Sequence, residues 1–167
     1  MDQDAKKTAL RMIPYGIYVL TAEAGDGRVA AATVNWATQC SFSPPLIALG
    51  VKTDSAAHEI VKDVKHFALN ILGKGQGDMA YTFFKTVERE GNTIGGQAFS
   101  PGSTGVPVLD ATTAVLECAL TDTVERGDHS VFVAEVVEAA VKRPFEGRAD
   151  EAVLAMADLG EKVFYGG

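Results

Sequence analysis

The stretch Ala30 to Val51, AAATVNWATQCSFSPPLIALGV, constrains the chain most, because an alternating run meets a Ser-Pro-Pro break and then restarts as an apolar run. Val34, Trp36, Cys40 and Phe42 fall on one parity and Thr33, Asn35, Gln39 and Ser41 on the other, the period of a strand and not of a helix. The second set carries short hydrogen-bonding side chains and no charge. Such a face fits a half-buried polar ligand or an interface, and it also fits a merely solvated sheet face. Neither proline can donate to a ladder and Pro44 restricts the backbone of Ser43, so the strand is expected to stop there. Leu46 to Val51 is expected to resume as a short strand buried on both faces.

Lys52, Thr53, Asp54 and Ser55 follow at once, and then AAHEIVKDV. Asp54 or Ser55 can cap a helix whose Ala57, Ile60, Val61 and Val64 share a face. The first turn of that helix would offer unpaired backbone N–H groups beside two hydroxyls and a lysine, which together suit an anion. An ordinary cap with a surface lysine would read the same way.

The remaining segments frame this centre. Ala5 to Ile13 reads as a short helix with Asp4 as cap and Pro14 as stop, and Ile17 to Ala22 as a strand that turns through Glu23 to Arg28 into Val29, a hairpin. His66 to Leu72 reads as a strand with Phe67, Leu69 and Ile71 on one side; Asn70, on the other, either hydrogen-bonds in the core or faces a ligand. Beyond the glycine-rich turn Gly73 to Gly77, Asp78 is expected to cap a helix MAYTFFKTVERE, whose Tyr81, Phe83 and Phe84 cannot share one narrow face. Gly91 to Leu109 reads as a long loop. Thr112 to Val124 and Ser130 to Val141 alternate as two strands of a hairpin turning through Glu125 to His129. Their Glu117 and Glu135 are expected to face solvent or an interface, since an unpaired buried carboxylate is costly. A last helix, Glu151 to Leu159, should end in a left-handed cap at Gly160, and the aromatic stretch Phe164 and Tyr165 should pack.

Six or seven strands, mostly joined by hairpins, predict a mainly β protein: an antiparallel barrel with helical insertions, one domain over residues 1–167. Apolar content of 47% and charged content of 22% exclude disorder, and a net charge of -7 argues against nucleic acid as a partner. Cys40 and Cys118 both lie in apolar-patterned strands, which favours two buried thiols over a disulfide or a metal site. His58, His66 and His129 have no Cys or carboxylate at ligand spacing, so no metal is expected. No secretory signal and no membrane-length apolar run is read in the chain, and a cytoplasmic protein is expected. Serine-hydrolase, Walker and Gly-x-Gly-x-x-Gly fingerprints are absent.

The pieces PYGIYVLTA, ATVNWATQCSFSPPLIALGV, DSAAHEIV, HFALNIL, PGSTGVPVL and GDHSVFVAEVV, in that order and spacing, resemble the flavin reductase-like family of FMN-binding split barrels over nearly the whole chain. The resemblance implies an antiparallel Greek-key split β-barrel that binds FMN in preference to FAD and transfers hydride from NADH or NADPH to the flavin. By that resemblance Thr33, Val34, Asn35 and Trp36 lie along the isoalloxazine edge, and groups around Gln39, Cys40 and Ser41 meet the ribityl chain or pyrimidine end. Lys52, Thr53 and Ser55 hold the phosphate, and His129 stands on the nicotinamide side. It also implies a homodimer with the flavin near the subunit boundary. The chain departs from the family at Trp36, where its reductases commonly have a small residue, and at FYGG, where they often carry a longer aromatic and basic tail. Two other functions fit the same residues. One is an FMN-holding electron-transfer protein between redox partners; the other is a split barrel that binds another flat cofactor, such as haem or a deazaflavin.

Overall fold

Alternation in β1 (Tyr18–Glu23) and β2 (Val29–Val34), with an acidic glycine turn between them, produces the first hairpin, Tyr18 opposite Val34 and Glu23 opposite Val29. The computed structural model describes residues 1–167. Beyond β2 the chain runs through β3 (Ala37–Phe42), β4 (Pro45–Lys52), helix α2 (Ala56–Val64) and β5 (His66–Ile71). Short helix α3 (Gly77–Thr82) and small strands β6 (Arg89–Glu90), β7 (Thr93–Ile94), β8 (Gln97–Pro101) and β9 (Pro107–Leu109) lead to the long hairpin β10 (Ala114–Glu125) and β11 (His129–Val141). Helix α1 (Gln3–Arg11) precedes the first strand; helix α4 (Ala149–Ala152) and a 3-10 turn (Met156–Leu159) follow the last.

Seven strands form one antiparallel sheet in the order β2-β1-β5-β10-β11-β4-β3. Its two edge strands, β2 and β3, are consecutive in the chain and are separated by Asn35 and Trp36 alone. Strands spaced about 4.8 Å apart would put the edges of a flat seven-stranded sheet about 29 Å from each other. Three Cα steps from Val34 to Ala37 reach no more than about 11 Å. The sheet therefore curls into an open barrel whose edges meet at the Asn35–Trp36 corner, where Gly50 N donates to the Trp36 carbonyl at 2.8 Å.

The inner face packs Leu20, Leu49, Phe67, Leu69 and Phe132 with Ala57, Ile60 and Val61 of α2. On the outer side, Val19 of β1 and Ile17 just before it pack against Leu72, Phe83 and Ile94, so this part of the sheet is covered on both sides. Ser55 caps α2, its Oγ accepting from His58 N at 3.1 Å, and Lys65 ends the helix in the left-handed region at φ 62°.

The structure corrects several expectations. The polar stretch is not one strand: it breaks at Asn35–Trp36, and β3 carries a further irregularity between Gln39 and Ser41, so parity does not persist along it. Cys40 is consequently exposed; only Cys118 is buried, and burial pushes its thiol up to about 12. In β4 only Ile47, Leu49 and Val51 are fully buried, which makes it a one-faced strand. The helix after Asp78 stops at Thr82, because β2 captures its carbonyls: Thr33 Oγ1 donates to Ala80 O at 2.7 Å and Thr33 N to Phe83 O at 3.1 Å. Residue 76 is its N-cap, and Asp78 lies within the helix. Gly91 to Leu109 holds most of a four-stranded sheet, β6-β7-β8-β9, whose strands are too short to show a period. Glu117 is buried, and its carboxylate accepts from the N–H and hydroxyl groups of both Ser103 and Thr104, whose loop folds over it. Asn70 is a core residue that donates to Val19 O at 3.0 Å and accepts from Leu109 N at 2.9 Å. The last helix divides, with Val153 and Ala155 bridging to Gly73 and Gly16. Gly160 follows with φ 128° and ψ 153°, outside the left-handed helical region. Helix α1 is capped by Asp2, whose carboxylate accepts from Asp4 N and Ala5 N.

Candidate functional site

The barrel corner, the end of β4 and the start of α2 enclose a cavity of about 500 Å³. Thr33, Val34 and Asn35 form one wall, and Gly50, Val51 and Lys52 another. Ser55 and Ala57 close the α2 side, Phe83 and Phe84 contribute aromatic surface, and His129, paired across the sheet with Lys52, stands with Tyr165 beside the end of β4. Most of the lining is apolar, with a few polar groups among it, the usual composition of a site for a flat organic ligand. A second cavity of about 360 Å³ continues past Ser55 and Lys52 to Lys85, so the start of α2 faces a groove with a lysine on either side.

The anion site expected from sequence has a definite geometry. Ser55 Oγ donates to Lys52 O at 2.7 Å while accepting from His58 N, and the first-turn N–H groups of Ala56 and Ala57 lack partners within the helix. Lys52 Nζ lies 3.0 Å from Asp54 Oδ1, and that hydrogen-bonded carboxylate raises the lysine above its ordinary value, so it is held as a cation. Lys52 remains half exposed, free to swing toward an anion.

Across the sheet from Lys52, His129 Nδ1 is 2.9 Å from Asp128 Oδ1 and Nε2 is 2.7 Å from Tyr165 Oη. A carboxylate only accepts, so Nδ1 carries the proton; in the neutral ring Nε2 then accepts from the tyrosine hydroxyl. Its bond to His129 holds the Asp128 carboxyl below the usual carboxylate range, and burial pushes the Tyr165 phenol up. Asn35 Nδ2 donates to Tyr165 O at 3.3 Å. The Trp36 ring lies behind this pair, 4.6 Å from His129 and 5.3 Å from Tyr165, and its Nε1 is buried without a hydrogen-bond partner.

Of the residues singled out from sequence, Thr33, Val34, Asn35, Lys52, Ser55 and His129 line one cavity, and Trp36 backs its His129 side. Thr53 does not join them: its Oγ1 and N both donate to Asp128 O at 3.0 Å, and it lines a shallow surface on the other side of α2. Gln39, Cys40 and Ser41 lie on β3 beyond the corner, with Gln39 Nε2 donating to Ser41 O at 3.1 Å, and line none of this cavity. Sequence reasoning missed Phe83, Phe84, Lys85 and Tyr165 as wall residues. The aromatic surplus in MAYTFFK and the apolar FY pair were the available signals.

The model of the family described as "Flavin reductase like domain" matches residues 10–157. The chain belongs to the flavin reductase-like family. Among its relatives, the NADH-dependent flavin reductase of Pseudomonas fluorescens is 31% identical over 139 residues, covering 81% of this chain and 77% of that one. The high molecular weight rubredoxin of Moorella thermoacetica is 32% identical over 135 residues, which cover 80% of this chain and 58% of the relative. This flavin reductase-like chain thus spans little more than half the length of that protein. The solved styrene monooxygenase flavin reductase of Pseudomonas putida S12 superposes with a TM-score of 0.70 at 29% identity, covering 81% of this chain and 85% of that one.

Proposed function

We propose that residues 1–167 act as one flavin reductase-like domain that binds FMN and reduces it with NADH or NADPH. The observation that carries this is the single cavity joining an uncharged polar wall, Thr33 to Asn35, to a capped helix start with a held lysine. A flat ring system fits the apolar middle, and a phosphate fits Ser55, Lys52 and the first-turn N–H groups of α2. The continuing groove with Lys85 supports the same anion. Gln39, Cys40, Ser41 and Thr53 do not fit this role and are left out of the proposed site.

When bound, the flavin supplies the hydride-accepting chemistry. The protein's own work is binding and exclusion. Ser55 and Lys52 hold the ligand's anionic group, Val34, Val51 and Phe83 keep water from its ring system, and His129, oriented by Asp128, presents a ring nitrogen to the cavity beside Lys52. No side chain of the cavity is required to move a proton.

Equilibrium titration with FMN and FAD, followed by anaerobic mixing with NADH or NADPH, tests the proposal. FMN should bind more tightly than FAD, and its absorbance should bleach on mixing. Flavin that binds but does not bleach would favour an electron-transfer protein, a reading that the kinship with a high molecular weight rubredoxin keeps open. Failure to bind either flavin would remove the proposal. We further propose a homodimer formed through the exposed face of β3, where Phe42 is 91% exposed. Two free thiols, one of them exposed, suit a reducing cytoplasm; no helix is long and apolar enough to cross a membrane.

A further inference from the structure

The segment Val163–Tyr165 lines the cavity although it belongs to none of the strands that build it. It crosses the end of the site as a strap: Val163 packs against the core cluster that holds Ile17, Leu154 and Leu159, and beyond it the attachments are hydrogen bonds and ring contacts. Tyr165 bonds to His129 through Oη and to Asn35 through its carbonyl, and Gly166 O accepts from Arg11 Nε at 3.2 Å. The Arg11 guanidinium also lies 4.3 Å from the centre of the Phe164 ring. Beyond Val163 little apolar burial anchors it: Phe164 is 52% and Tyr165 47% exposed.

The strap's closed position carries a cost of its own. It packs Gly166 against the Trp36 indole, so that even an added Cβ would stand 3.4 Å from Nε1, the one buried side-chain nitrogen or oxygen without a partner. A donor buried in this way loses its hydrogen bond to water and gains nothing in exchange. Lifting the strap returns that N–H to solvent. A segment with few apolar contacts, exposed hydrogen bonds and an unsatisfied donor beneath it belongs to the low-stability part of a fold and opens locally.

We propose that Val163–Gly166 is a displaceable plug: Tyr165 occupies the ring slot beside Trp36 and His129, and a flat ligand entering this end of the cavity must displace it. Tyr165 competes for the space and for the His129 nitrogen, so the strap sets the apparent affinity of the site through the fraction of molecules in which it is open. On its far side the strap also borders a separate cavity of about 510 Å³ beside α1, reached by Arg11, Val163 and Phe164. Withdrawal therefore joins two spaces into one and gives the displaced segment room to move. The plug itself stands on the ligand-free geometry; only its competition with flavin rests on the function proposed above.

Trp36 is the chain's single tryptophan, so its fluorescence reports this corner and nothing else. The test compares acrylamide quenching of Trp36 in the ligand-free wild type, Tyr165→Phe and Arg11→Met. Tyr165→Phe removes the His129 bond; Arg11→Met releases the other end of the strap without touching the cavity wall. Tyr165→Phe should raise the open-to-closed ratio about fivefold, the effect of one neutral hydrogen bond, and Arg11→Met, which removes a charge-assisted bond, about tenfold; each so raises quenching. Titration with FMN, followed by flavin fluorescence, should then show tighter binding in both variants. Unchanged quenching in both folded variants overturns the plug, as does weaker FMN binding by Arg11→Met, because a displaced competitor cannot be a needed contact. If no form binds FMN while quenching rises as expected, the flavin assignment fails and the plug stands.

Discussion

Glu117 and His58 are both buried, and both tie stability to pH in the same direction. Burial works to raise the Glu117 carboxyl, but the bonds from Thr104 and Ser103 outweigh it and hold the group below its ordinary value. A carboxylate depressed in the folded state contributes stability above its unfolded pKa, and that contribution is lost as pH falls through the folded one. For His58, burial and then the charge of Lys62 lower the imidazole against the pull of Glu125, so the neutral ring is favoured in its 2.8 Å bond to Ser130 Oγ. Its contribution is complete above about pH 6.5 and is lost on acidification. The urea midpoint should therefore decline in two stages, the His58 stage first and the Glu117 stage below about pH 4.3. Replacing His58 with Gln should flatten the first stage, and replacing Glu117 with Gln the second. Ser55→Ala separates cap from ligand: stability should fall by about 1 kcal/mol, whereas FMN affinity should fall roughly tenfold or more, through loss of the charge-assisted contact the hydroxyl makes when it turns its proton from Lys52 O to the phosphate. An unchanged flavin affinity, measured by titration, would remove Ser55 from the site.

Among the elements, those with a clear period or a strong punctuation mark were legible in the sequence. The first hairpin, the capped α2 and the β10–β11 hairpin follow from alternation, a Ser cap and a glycine turn. Period and punctuation did not pair Thr33, Val34 and Asn35 with Lys52 and Ser55; that pairing came from the family resemblance. What could not be read is what tertiary contact decides. The corner at Asn35–Trp36 keeps the alternation of its neighbours, so parity runs through it undisturbed and misplaces Gln39, Cys40 and Ser41. The helix after Asp78 has good local propensity throughout and is ended by β2's hydrogen bonds to its carbonyls. The burial of Glu117 depends on a loop distant in the chain, and composition around the glutamate does not announce it. That loop has its own test. A Cβ at Gly102 would meet the Glu117 carboxylate at 2.5 Å, so Gly102→Ala must expel the carboxylate from its donors. The expected loss is roughly 2 to 3 kcal/mol by chemical denaturation, with the pH dependence assigned to Glu117 removed as well.

For the molecule as a whole, the proposed partner surface and the barrel closure involve the same strand. β3 leaves the corner as a sheet edge, with Phe42 exposed at its end. Phe42→Asp should convert a dimer to a monomer in analytical ultracentrifugation with little change in the thermal midpoint of the separated subunit; a wild type that sediments as a monomer would remove the dimer. The corner itself has a wider meaning. Asn35 lines the cavity and, with its neighbour Trp36, is the seam where the first and last strands of the curled sheet come together. Occupancy and closure are thus one latch: any molecule gripped at Asn35 should slow amide exchange simultaneously in Val29–Val34 and Ala37–Phe42, two borders that share no backbone ladder.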